Sequence, residues 1–126
     1  MSGTALPAGS TSGGTQTAAA GTGATLTLAA PGAGLFIYIT YIEITKTASA
    51  LLVVAATPVL VTTTNIPGTP TIDFPADAAA QGTQVVRQIA PGVPIKSVTA
   101  NTAVTIVAPA TTSIVWRVTA HYFIGP

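Results

Sequence analysis

Turn-forming clusters punctuate this chain at short intervals, and they limit what it can fold into. From residue 30 onward the breaks read APGAG, NIPGTP, FPADAAAQG, APGVP, TANT and APATT. Proline presets φ and glycine supplies positive φ, so each cluster ends the element before it. The runs between them are short and rich in Val, Ile, Thr and aromatic residues, which suit a pleated, half-buried surface. Helical periodicity is weak throughout, and PADAAAQG offers room for one short turn only. The expected strands are Ala24–Ala29, Leu35–Thr47, Leu51–Ala55, Val59–Thr63, Thr71–Phe74, Gln84–Ile89, Ile95–Val98, Ala103–Val107 and Ser113–Ile124. About eight strands with turns this close predict an all-β fold, a single β-sandwich or jelly-roll-like domain over residues 24–126.

The last strand has the clearest pattern. Ile114, Trp116, Val118, Ala120, Tyr122 and Ile124 share one face, which reads as core. Ser113, Val115, Arg117, Thr119, His121 and Phe123 share the other, a mixed surface suited to meeting another subunit. Leu35–Thr47 breaks its own alternation. Ile37 and Ile39 are in odd register, Ile42 and Ile44 in even register. A strict two-residue period would put these pairs on opposite faces, so the sequence predicts a β-bulge near Thr40–Tyr41 or a strand covered on both sides. Either arrangement keeps the hydroxyls of Tyr38 and Tyr41 near a wet rim.

Residues 1–23, MSGTALPAGSTSGGTQTAAAGTG, are a different material, with one Leu, one Met, no aromatic residue and no charge. Alone, such a segment buries too little to offset an ordering cost of ~1–2 kcal/mol per residue. It reads as a tail or linker, or as an extended N-terminal arm strapped along a neighbouring subunit. Fully extended it reaches up to ~75–80 Å. It has no basic n-region or apolar h-region, so no secretory leader is expected and synthesis is assigned to the cytoplasm.

Charge is the compositional outlier. Asp, Glu, Lys and Arg make up 6% of the 126 residues, against about 25% in an ordinary soluble domain. Seven such groups on a surface of about 6,100 Å² leave one per ~900 Å². Threonine, roughly one residue in five, does the solvating instead. So thin a coat gives little colloidal repulsion, and it predicts that partners cover much of the surface. Lys46, Arg87, Lys96 and Arg117 are scattered, which argues against nucleic acid as a partner. With no cysteine, disulfides and thiolate chemistry are excluded. Mean hydropathy is +0.64. The longest apolar stretch, Ala48–Val61, contains Pro58 and falls short of the roughly 20 residues of a spanning helix, so no membrane association is expected.

Groups for catalysis are few. Besides Asp77 and Asp73, both near turns where Asp commonly bonds the backbone, there are Glu43 and the single His121. One imidazole without cysteine does not complete a transition-metal site within one chain. There is no GxSxG elbow, and the glycine-rich start lacks the GK[ST] ending of a phosphate loop. No catalytic residue, cofactor, metal or small-molecule substrate is expected. Glu43 and Lys46 are candidates for cross-strand pairs with Arg117 or His121. Trp116 reads as core; exposed, it would be a sugar-stacking platform.

With the strands laid out, GLFIYITYIEI, TTTNIPGTPTIDFP and NTAVTIVAPATTSIVWRVTAHYF resemble the small β-sandwich decoration, or cement, proteins of tailed-bacteriophage virions. The likeness is one of texture and strand order over roughly Ala24–Pro126. It implies a jelly-roll-like domain, homotrimeric, bound to the major capsid protein on the outer capsid surface. Capsid contact is then expected from the arm around Leu6 and Pro7. Contact between protomers is expected from Tyr41, Glu43, Arg117 and His121. The rival expectation is a recognition module for a glycan or host surface, such as a head fibre or tail adornment.

Overall fold

The computed structural model describes residues 12–51, 59–75 and 80–126. Its strands are β1 (Ser12–Thr17), β2 (Ala24–Leu28), β3 (Phe36–Ala48), β4 (Val59–Thr64), β5 (Ile72–Phe74), β6 (Gln84–Ile89), β7 (Ile95–Lys96), β8 (Val104–Ala108) and β9 (Ile114–Gly125). No helix occurs among the described residues.

The pairing is nested. β1 pairs β9, β2 pairs β8, β3 pairs β6 and β4 pairs β5, all antiparallel. The chain is thus one long hairpin, rolled so that β9 also lies against β3 and β8 against β4. The result is two sheets, β1-β9-β3-β6 and β2-β8-β4-β5, with the two-residue β7 on the free part of β3. Eight strands wound in this order form a jelly roll, the double Greek key expected from the turn spacing.

The alternation in the sequence sets the two inner faces. Ile37, Ile39, Ile42 and Ile44 of β3 and Ile114, Trp116, Val118 and Ala120 of β9 are buried. They pack on Leu26 and Leu28 of β2, Val104 and Ile106 of β8, Val61 of β4 and Phe74 of β5. Fully burying a side chain of this size contributes about 1.5–3 kcal/mol. Tyr122 keeps to that face, partly buried and packed against the core, whereas Ile124, expected there too, is 48% exposed. β9 has 12 residues, whereas the strands of the facing sheet have 3 to 6, so its end runs past its cover.

The predicted bulge is present. Ile39 faces Tyr122 and Tyr41 faces His121, so Thr40 is the extra residue, and its hydroxyl donates to the His121 carbonyl at 3.1 Å. Two expectations shift. Residues 12–17, assigned to the arm, are β1 and complete the roll. Main-chain pairing with β9 recruits them, in register from Ser12↔Tyr122 to Thr17↔Arg117, and the Thr15 and Thr119 hydroxyls bond across the pair at 3.0 Å. The expected strand Leu51–Ala55 begins with an exposed, non-strand Leu51, and residues 52–55 lie outside the described residues, as do Leu6, Pro7 and Asp77.

Candidate interaction face

The bulge decides which side chains β3 sends outward. Before it these are Phe36 and Tyr38; after it, Tyr41, Glu43, Thr45 and Thr47, because Ile37, Ile39, Ile42 and Ile44 are all buried. Register then assembles rows across the outer face of the β1-β9-β3-β6 sheet. Thr17, Arg117, Thr45 and Val86 form one row, and Thr15, Thr119, Glu43 and Gln88 the next. Gly13, His121 and Tyr41 follow, and then Phe123, Tyr38 and Lys96. All four residues expected at a protomer contact, Tyr41, Glu43, Arg117 and His121, therefore share one surface.

Within it the polar groups are tied together. Tyr41 Oη donates to Glu43 Oε2 at 2.7 Å, and Gln88 Nε2 donates to the same oxygen at 2.9 Å. These two bonds hold the Glu43 carboxyl below its ordinary pKa, with a smaller contribution from the Arg117 charge and opposition from partial desolvation. The bond to Glu43 raises the Tyr41 phenol, reinforced by desolvation and the carboxylate charge. Tyr41 also leans on the His121 ring, centroids 5.4 Å apart. Glu43 thus takes its bonds from neutral donors, and the expected ion pairs with Arg117 or His121 do not form. Lys46 is on the other face altogether. It continues the even register of Ile42 and Ile44, is buried, and its Nζ donates to the Pro75 carbonyl.

At the other end of the face Tyr38 and Phe123 stack, centroids 4.9 Å apart and planes 1° from parallel. Lys96 lies on the opposite side of Tyr38, its Nζ 4.1 Å from the Phe36 centroid and 5.8 Å from that of Tyr38. The Tyr38 hydroxyl donates to the Pro126 carbonyl at 2.5 Å, so its expected wet position is a latch on the end of β9. Alternation along the last strand had placed Phe123 on this face, but composition gave no hint of Phe36, Tyr38, Lys96 and Gln88 as fellow members. The signal was the phase of β3, which puts 36 and 38 outward before the bulge and 41 and 43 outward after it.

Other regions hold less chemistry. Trp116 is fully buried, its ring edge-on to Phe74 at 5.1 Å, which overturns its use as a sugar platform. Asp73 is in β5, opposite Leu60, and its carbonyl accepts from Arg87 Nε at 3.3 Å. Among the described residues no three His, Cys, Asp or Glu side chains are placed to hold a metal ion. An open groove of about 560 Å³ lies between residues 64–69 and 98–103. The Asn65 side chain that lines it is committed to Thr99 and Thr102. The outer face of the second sheet is threonine-rich and uncharged around Thr25, Thr27, Thr62, Thr64 and Thr105. No family model, curated protein or solved structure matches the chain.

Proposed function

We propose that this chain is a structural, non-catalytic virion protein that binds the outer surface of a phage capsid and ties neighbouring major capsid subunits together. Jelly rolls serve capsid and lectin domains alike, so the fold alone does not choose between them. The observation that carries the reading is the placement of the chain's polar and aromatic groups. Glu43, Arg117, His121, Lys96, Tyr38, Tyr41 and Phe123 spread over one open sheet face instead of converging in a cleft. A broad face with one carboxylate, few cations and half-buried aromatics matches the make-up of a protein–protein contact. Copies meeting through this face, as homotrimers, present several weak capsid contacts at once, and avidity turns them into a firm hold. The glycan reading loses its platforms: Trp116 is sealed, and the ring of Tyr38 is flanked by Phe123 and Lys96.

The test adds purified chain to phage heads stripped of accessory proteins and follows occupancy and heat resistance. Saturable binding, raised heat resistance and weakening by Arg117→Glu are expected. Heads that neither bind the chain nor gain stability would remove the capsid from the proposal.

A further inference from the structure

Among the described residues the edge of the sheet at β1 has no charge, proline or bulge to guard it. β1 pairs only with β9, and among the described residues nothing pairs with its other side. Ala18 N donates to Trp116 O at 3.2 Å, which makes 18 and 116 a hydrogen-bonded pair. Alternation along an antiparallel ladder makes 16/118 and 14/120 bonded pairs too. The N–H and C=O groups of Gly13, Thr15 and Thr17 therefore point out of the edge.

Such a row is a template for another strand, and proteins usually blunt it with charge, proline, a bulge or short length. The opposite flank does so. β6 carries Arg87, and β5 is three residues long, carries Asp73 and is followed by Pro75. Along β1 the register is unbroken over six residues, and residues 12–28 contain no charge and no proline. Two glycines, Gly13 and Gly14, leave the approach open. With a net charge of only +1, two copies barely repel one another.

We infer that β1 pairs edge to edge, antiparallel, with β1 of a second copy, so that the β1-β9-β3-β6 sheets of the two copies run on as one. A second copy is the occupant because antiparallel pairing of identical strands is self-complementary about a two-fold axis, and an uncharged Gly/Thr strand has nothing in it to oppose its own copy. The contact is distinct from the sheet face of the assembly proposal and shares with it only the premise that copies associate.

Backbone amide exchange and sedimentation of the full chain test it. As concentration rises, a species of twice the 12.4 kDa chain mass is expected, together with slowed exchange at Gly13, Thr15 and Thr17. Thr15→Pro removes one outward N–H and leaves the bonded pairs at 14, 16 and 18. It should abolish both effects, with an unchanged near-ultraviolet signal from Trp116 reporting the intact fold. Arg117→Glu, aimed at the sheet face, should leave the three amides as they were. Open amides in an associated wild-type chain overturn the inference. So does a chain that stays single at every concentration, or protection that arises only when capsid is added.

Discussion

Tyr41 and Glu43 stand two residues apart on one face of β3, and the phenol donates to the carboxylate at 2.7 Å. The bond lowers the carboxyl pKa from its ordinary 4.5 and raises the phenol from its ordinary 10.0. The lowered carboxyl stabilises the fold fully above the unfolded pKa, and this is lost as pH falls through the folded value. The raised phenol contributes fully below its unfolded pKa, and this is lost as pH rises through its folded value. Stability should therefore sag at both ends, and Tyr41→Phe should flatten both slopes and return Glu43 toward 4.5. An NMR titration of the Glu43 carboxyl carbon checks this; titration at the ordinary value in the wild-type chain would sink it.

The bulge makes a pair of predictions for two deletions in β3. Thr40 is the extra residue, so removing it leaves Ile37, Ile39, Ile42 and Ile44 facing inward on a regular strand. The expected cost is mainly the bond to the His121 carbonyl, about 0.5–1.5 kcal/mol. Deleting Glu43 is absorbed by the same closure, but it turns Tyr41 inward and Ile42 outward and removes the carboxylate that Tyr41 and Gln88 bond. Both deletions should unfold cooperatively in urea, the Glu43 deletion at a clearly lower midpoint. Equal midpoints for the two would refute the assigned register.

The success and failure of sequence reading both follow from what periodicity can detect. β9, β2 and β8 announce themselves because every second residue is apolar, and the odd–even conflict among the isoleucines pointed to a bulge near Thr40–Tyr41 or a strand covered on both sides, of which the first is found. β1 was silent. SGGTQT has no apolar residue to alternate, and it is recruited by main-chain pairing with β9 and one Thr15–Thr119 hydroxyl bond, neither of which a local pattern encodes. Lys46 misled through its identity, since its even parity with Ile42 and Ile44 already placed it inward. On the interaction face, Arg117 and His121 were legible from one strand's alternation. Their meeting with Glu43 and Tyr41 rests on the β3–β9 register, and Lys96 joins only because β7 lands on β3, which no local pattern encodes.

Trp116 should tolerate phenylalanine far better than alanine. It is fully buried against Phe74, and among the described residues its Nε1–H has no acceptor. Trp116→Ala opens a cavity at an expected cost of about 3–5 kcal/mol. Trp116→Phe also loses volume, but it removes an unsatisfied donor whose burial costs about 1–3 kcal/mol. The net loss should therefore be under ~2 kcal/mol by urea denaturation. Equal losses in the two variants would mean that the orphan donor is satisfied in solution. In the wild-type chain, indole emission should be blue-shifted and indifferent to added sugars.

Asn65 holds the end of the roll beside the groove, and its variants should fall in a definite order. It adopts φ +59°, its Nδ2 donates to the carbonyls of Thr99 at 3.2 Å and Thr102 at 3.1 Å, and its Oδ1 accepts from Thr99 N at 2.8 Å. Asn65→Gly loses those bonds, at about 1 kcal/mol each, but keeps the backbone relaxed. Asn65→Ala loses the same bonds and adds about 1–2 kcal/mol for a Cβ in the left-handed region. Asn65→Asp keeps the acceptor for Thr99 N but turns a carboxylate toward two carbonyls, which favours its protonated form. That variant alone should gain stability as pH falls through the titration of the new carboxyl, the reverse of the Glu43 trend. Urea midpoints for the three variants at neutral and acid pH give the order; equal midpoints for glycine and alanine would show that residue 65 is not held in the left-handed conformation.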